Sequence, residues 1–140
     1  MRIYLSSSEP ADKSYKWASN IVVFNDMVQT SEATSIVCDH FLSSFSYGEI
    51  AEVLKIIASK MRLQSEITIV HPDVVILSQK MSREEINEQT LNNILFKSES
   101  IRSVCSTETI QSLIPDNLEV TQKNFDTATS NIVIKARRVR

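Results

Sequence analysis

A chain of 140 residues with one glycine, Gly48, has few easy ways to turn. Average usage of about 7% would supply roughly ten. Glycine enters positive φ at little cost and lets backbone approach a ligand closely. Turns that need positive φ must therefore use Asn, Asp or Ser here, or be avoided. A nucleotide loop built on glycines is excluded in its usual form.

The rest of the composition describes one ordinary domain, spanning 1–140. The length lies near the common domain size of roughly 100–150 residues. The apolar fraction of 42% is enough for a real core. A net charge of −2 gives no general attraction to nucleic acid or anionic membranes. The basic tail "KARRVR" carries Lys135, Arg137, Arg138 and Arg140. It has no interleaved aromatics for stacking, so it reads as a solvated strand end. No stretch reaches the roughly 18 apolar residues of a membrane span. The start, "MRIYLSSSEPADKSYK", lacks the apolar core of a signal peptide. A soluble, cytoplasmic protein is expected.

Chemistry-bearing motifs are scarce. Cys38 and Cys105 stand far apart without C-x-x-C spacing and read as small buried hydrophobes. His40 and His71 are too few to complete a zinc set, so no metal is expected. No serine sits in a G-x-S-x-G elbow, and no phosphate-loop motif occurs. No catalytic residue is assigned.

Periodicity sets the elements. Residues 2–5 read as a strand, and the polar stretch 6–19 as a loop. Tyr15 and Trp17 within it either stack on a ligand base, anchor a partner or pack the loop down. The β-branched run "NIVVF" (20–24) reads as a strand buried on both faces. Residues 26–32 form a connection too short for a crossover helix. Thr34 to Cys38 is the next buried strand. Ser46 with Glu49 forms the S-x-x-E capping box, which satisfies two backbone donors at a helix start. Ile50, Val53, Leu54, Ile57, Ala58 and Met61 then make one helical stripe, giving a helix over about 47–62.

"EITIVH" (66–71) is a strand stopped by Pro72, and Pro72–Asp73 starts a short helix to about Gln79. Ser82 with Glu85 repeats the capping box for a helix to about Leu95. Thr107 to Leu113 is a further helix ending before Pro115. "LEVTQKNF" (118–125) and "SNIVIKARR" (130–138) alternate and flank the turn "DTAT", which makes a C-terminal hairpin. The alternation implies an α/β fold, a Rossmann-like three-layer sandwich. Its sheet is mostly parallel with an antiparallel C-terminal hairpin.

The segment "IVCDHFLSSFSYGEIAEVLKIIASKMRLQSEITIVHPD" resembles the class I S-adenosylmethionine-dependent methyltransferases. His40, Leu42 and Phe45 match that family's fourth-strand end. Ile50, Leu54 and Lys60 match the helix that follows. Ile67, Ile69, Pro72 and Asp73 match its fifth strand. The resemblance extends through the last helix and hairpin and covers roughly 33–138. It implies a minimal methyltransferase-like fold.

The first third departs from the family. "LSSS" (Leu5 to Ser8) stands where the family has a loop such as L-G-C-G. Asp26 is the only match to the acid that holds the cofactor ribose. The segment between the second and fourth family strands shrinks to about ten residues. A retained cofactor, S-adenosylmethionine, would meet Ser6, Ser7 and Ser8 at its methionine end, Asp26 at the ribose, and Asp39 and His40 toward the acceptor. The structural reading of these residues is blander: a solvated turn at the serines, a turn residue at Asp26, a capped or packed histidine at His40.

Two functions follow. The preferred one is a non-catalytic, methyltransferase-like binding or assembly module with no cofactor, acting through a protein partner or self-association. Its docking edge is expected at "NIVVF", left unpaired by the missing third strand. The alternative is a small active S-adenosylmethionine-dependent methyltransferase.

Overall fold

The structure, a computed structural model, describes residues 1–96, 101–126 and 128–140. The elements run β1 (Arg2–Leu5), β2 (Lys16–Ala18), α1 (Ile21–Met27), β3 (Ala33–Asp39), α2 (Ile50–Lys60), β4 (Met61–Pro72), α3 (Val74–Ser82), α4 (Glu88–Leu95), α5 (Thr107–Leu113), β5 (Leu118–Asp126) and β6 (Asn131–Arg138). The six strands make one mixed sheet in the order β2-β1-β3-β4-β6-β5. β2, β1, β3 and β4 are parallel, and β6 and β5 close the sheet antiparallel. A mostly parallel α/β sheet flanked by helices, with an antiparallel C-terminal hairpin, is the expected fold class. The "DTAT" turn includes residue 127, which lies outside the described residues.

The first third is corrected. "NIVVF" is not a strand but the start of α1. The Asn20 side chain accepts from the Val23 amide at 2.9 Å and caps that helix. Phe24 is fully buried in the core and Ile21 packs against its edge, while Val22 and Val23 are exposed. Helical capping and one buried aromatic thus outweigh the β propensity of three branched residues. The edge strand lies instead inside the expected loop, at Lys16–Ala18. The connection from β2 to β3 holds its crossover helix after all, as α1.

Two helix starts also move. A 3₁₀ turn, Tyr47–Glu49, precedes α2, so Ser46 sits a turn too early to cap it. The Ser46 hydroxyl donates to the Glu49 carboxylate at 2.5 Å instead of accepting from backbone. Ser82 ends α3 rather than starting a helix, and Asn87 caps α4 through the Thr90 amide at 2.8 Å. α2 stops at Lys60, and Met61 passes directly into β4. Residues 62–65 bulge out of the β3–β4 pairing before Glu66 resumes it.

The scarcity of glycine is resolved by other residues. Ser31, His40, Gln64, Glu84 and Ser130 all take positive φ, and Gly48 does not. Two are the expected serines. The other three place larger side chains in a conformation that costs of order 1–2 kcal/mol for a residue with a Cβ.

Handedness decides which face the helices cover. The β3–α2–β4 crossover and the β2–α1–β3 crossover move the same way across the sheet, so the right-handed rule puts α1 and α2 on one face. The β1–β2 connection moves the other way, and residues 6–15 contain no helix. Ile3, Leu5, Ile36, Cys38, Ile67, Ile69, Ile132, Ile134 and Ala136 form one core with Phe24, Leu54, Ile57 and Ile110 of the helices. Tyr4, Val37, Thr68, Val70 and Val133 point to the second face and stay half-buried. That face is covered thinly. Tyr15 packs edge-on against Tyr4, with centroids 5.7 Å apart, and the Arg2 guanidinium lies 4.1 Å from the Tyr15 ring.

Candidate functional site

The functional candidates gather at the carboxyl ends of the parallel strands, where α/β sheets bind ligands. β3 ends at Asp39, and His40 follows with φ 55°. That conformation swings the imidazole along the rim. The His40 amide donates to the Val70 carbonyl at 2.9 Å, which holds the turn against β4.

A polar chain crosses four strands here. The Tyr4 hydroxyl donates to Asp39 Oδ2 at 2.7 Å. Asp39 Oδ1 lies 2.6 Å from His40 Nδ1. A carboxylate only accepts, so Nδ1 carries a proton. His40 Nε2 lies 3.1 Å from the Asn131 side-chain amide of β6. Burial, with the hydrogen bond and charge of Asp39, pushes the Tyr4 hydroxyl up to about 12, so tyrosine remains a donor. The arrangement can hold and orient a proton at the imidazole.

Behind it lies His71, fully buried, with no hydrogen-bond partner for either ring nitrogen among the described residues. Burial, and the neighbouring His40, push it down to about 4, against an opposing pull from Asp73. It is a neutral core histidine at physiological pH. Asp73 does different work. Its Oδ1 accepts from the Val75 and Ile76 amides at 2.8 and 3.0 Å, capping α3. Its Oδ2 accepts from the Thr107 amide at 2.8 Å and from the Thr107 hydroxyl, tying the first turn of α5, which Ser106 caps, to the start of α3. Burial would raise this carboxyl, but the bonds from Thr107, Ile76 and Val75 outweigh it and hold it below the usual range.

A cavity of about 290 Å³ opens beside the polar chain. Ser7, Ser19, Asn20 and His40 are among its polar lining residues, and Phe41, Phe45, Ile94 and Leu95 among its apolar ones. Among the serines after β1, only Ser7 reaches it. Ser6 is buried, and its hydroxyl donates to the Ser8 carbonyl. The Trp17 indole donates to the Ser6 carbonyl at 3.1 Å, tying the loop to β2. Ser8 is exposed.

Asp26 is corrected in position. It lies exposed on the last turn of α1, not at the end of a strand. The residues that follow β2 are Ser19 and Asn20, and the Asn20 carbonyl oxygen is already engaged as a cap. No acid stands at the end of β2, where the resemblance implies the residue that holds the ribose. Asp39 and His40 are brought together, and His40 and Ser7 share the cavity. Sequence reasoning missed Tyr4 and Asn131. Both positions depend on register across strands far apart in sequence, and no local pattern marks them.

Among the described residues, no group of three or more His, Cys, Asp or Glu could hold a metal, and no helix is long and apolar enough to cross a membrane. Burial pushes the thiols of Cys38 and Cys105 up, and both are free and buried, as expected.

No family model matches the sequence, and no curated protein does. Solved structures do match. A possible exported protein from Bordetella parapertussis superposes with TM-score 0.62 at 8% identity, over 83% of this chain and 42% of that one. An O-methyltransferase family protein from Burkholderia thailandensis gives 0.61 at 12% identity, over 89% and 36%. A SAM-dependent methyltransferase from Archaeoglobus fulgidus gives 0.57 at 12% identity, over 91% and 70%. The chain spans less than half the length of the first two. At these identities the likeness is one of fold: the chain has the Rossmann-like fold of S-adenosylmethionine-dependent methyltransferases.

Proposed function

We propose that this chain is a methyltransferase-like domain that binds rather than catalyses, serving as an accessory or assembly component. The observation that carries this reading is the loop after β1. Ser6 spends its hydroxyl on Ser8 and its carbonyl on Trp17, so the loop is closed on itself. Every residue in it carries a Cβ, which keeps backbone amides from approaching a cofactor as glycine would allow. The position of Asp26 on α1 supports the same reading.

The partner is a protein or a second copy. β2 is a three-residue edge with one side unpaired, and Trp17 on it is 37% exposed. Unpaired edges are ready pairing surfaces. Titration calorimetry with S-adenosylmethionine and S-adenosylhomocysteine tests the reading. Millimolar or no binding is expected. Micromolar binding of either compound overturns it in favour of a small active methyltransferase.

A further inference from the structure

We propose that the cavity at the strand ends is a binding site for a small, uncharged ligand with a ring-shaped apolar body and one hydrogen-bonding group. This rests on the reading of the domain as a binder, and it names what this rim binds. The walls set the chemistry. Among the described residues lining the cavity there is no Asp, Glu, Lys or Arg. A charged group entering it would lose water and meet no carboxylate, ammonium or guanidinium among the described lining residues, which is costly. His40 is the one titratable wall residue, and both its ring nitrogens are already engaged.

The hydroxyls divide into used and unused. Ser43 donates to the His40 carbonyl at 2.8 Å, and Ser44 to the Phe41 carbonyl at 2.7 Å. Both serve the turn. Ser7 and Ser19 make no side-chain hydrogen bond among the described residues, which leaves two hydroxyls at the polar side. The apolar lining is aromatic and aliphatic. Phe41 and Phe45 meet edge to face, centroids 5.2 Å apart, a geometry that accepts a further ring. The volume of about 290 Å³ lies at the small end of ligand pockets, suited to one or two fused rings.

The test uses the full chain labelled with ¹⁵N and followed by amide NMR. The probes are 2-naphthol, which is neutral, 2-naphthoate, which has the same rings with a carboxylate, and S-adenosylhomocysteine. The expected result is saturable shifts at the amides of Ser7, Ser19, His40 and Leu95 with 2-naphthol, and binding of 2-naphthoate weaker by about tenfold or more. Ser7→Phe, which fills the mouth from an exposed position, and Ile94→Asn, which puts an amide in the apolar wall, each weaken 2-naphthol by about tenfold. Val133→Thr, which does not line the cavity, leaves it unchanged. Well-dispersed amide spectra show that each variant is folded, and either wall variant alone is decisive. No saturable shift with 2-naphthol, shifts away from the rim, equal binding of 2-naphthoate, or an indifferent folded wall variant overturns the proposal. Micromolar binding of S-adenosylhomocysteine overturns the non-catalytic reading, whereas silence from 2-naphthol alone overturns only the cavity assignment.

Discussion

On β3, Ile36 and Cys38 are wholly buried, while Val37 and Asp39 between and beyond them stay partly open. The same alternation runs through β4 and β6, so the sheet has one dry face and one half-wet face. Parallel sheets in compact domains are usually covered on both sides. The difference teaches where this chain keeps its stability. Nearly all the fully buried apolar side chains sit between the sheet and α1, α2 and α5, and the other face contributes a polar chain and thin aromatic cover.

Truncating the two faces measures that inequality most directly. Leu54→Ala, in the dry core, costs about 2–5 kcal/mol. Val133→Ala, on the half-wet face, costs less than about 1 kcal/mol, since its methyls are only partly removed from water. Urea denaturation of both variants reads the two values; equal losses would break the comparison.

Acid should act from within the dry face. His71 binds a proton near 6.5 in the unfolded chain and only near 4 when folded. Its contribution is fully present above pH 6.5 and is lost as pH falls toward 4. A shift of this size corresponds to about 3 kcal/mol. The urea midpoint followed from pH 7 to 4 should fall accordingly. His71→Leu should flatten that fall, and a variant with the wild-type acid profile would remove His71 as its cause.

Asp73 sharpens the comparison at the rim. Asp73→Ala removes the cap of α3 and the acceptor of the first amide of α5, and should cost about 2–3 kcal/mol in thermal or urea unfolding. Its lowered carboxyl acts in the opposite titration range to His71: its contribution is present above the usual carboxylate pKa and fades only below about pH 4. Tyr4→Phe on the half-wet face is milder than these, worth about 1 kcal/mol for one hydrogen bond to a carboxylate in partial contact with water. Ultraviolet titration should also lose the tyrosine that ionises near 12. A loss as large as that at Leu54 would mean the polar chain, not the core, organises that face.

The second half of the fold was legible because its signals are long and local. The stripe from Ile50 to Ala58, the strand 66–71 and the alternation in the hairpin each repeat over several residues, and α5 falls at the expected Thr107–Leu113. The first third was not. "NIVVF" carries strand chemistry, but its conformation is set by the Asn20 cap and by the site waiting for Phe24. "KWA" is three residues at an edge, too short for any period to register. Of the site, the rim of β3 was readable from Asp39 and His40. The cavity was not, because Ser19, Ile94 and Leu95 meet His40 only through the fold.

One carboxylate holding two helices also has a consequence in time. The amides of Val75, Ile76 and Thr107 all lean on Asp73, although Thr107 lies 34 residues further along the chain. Opening either helix start releases the side chain that closes the other. In native-state hydrogen exchange these three protons should therefore leave at a common rate, as one cooperative unit made from distant pieces of chain.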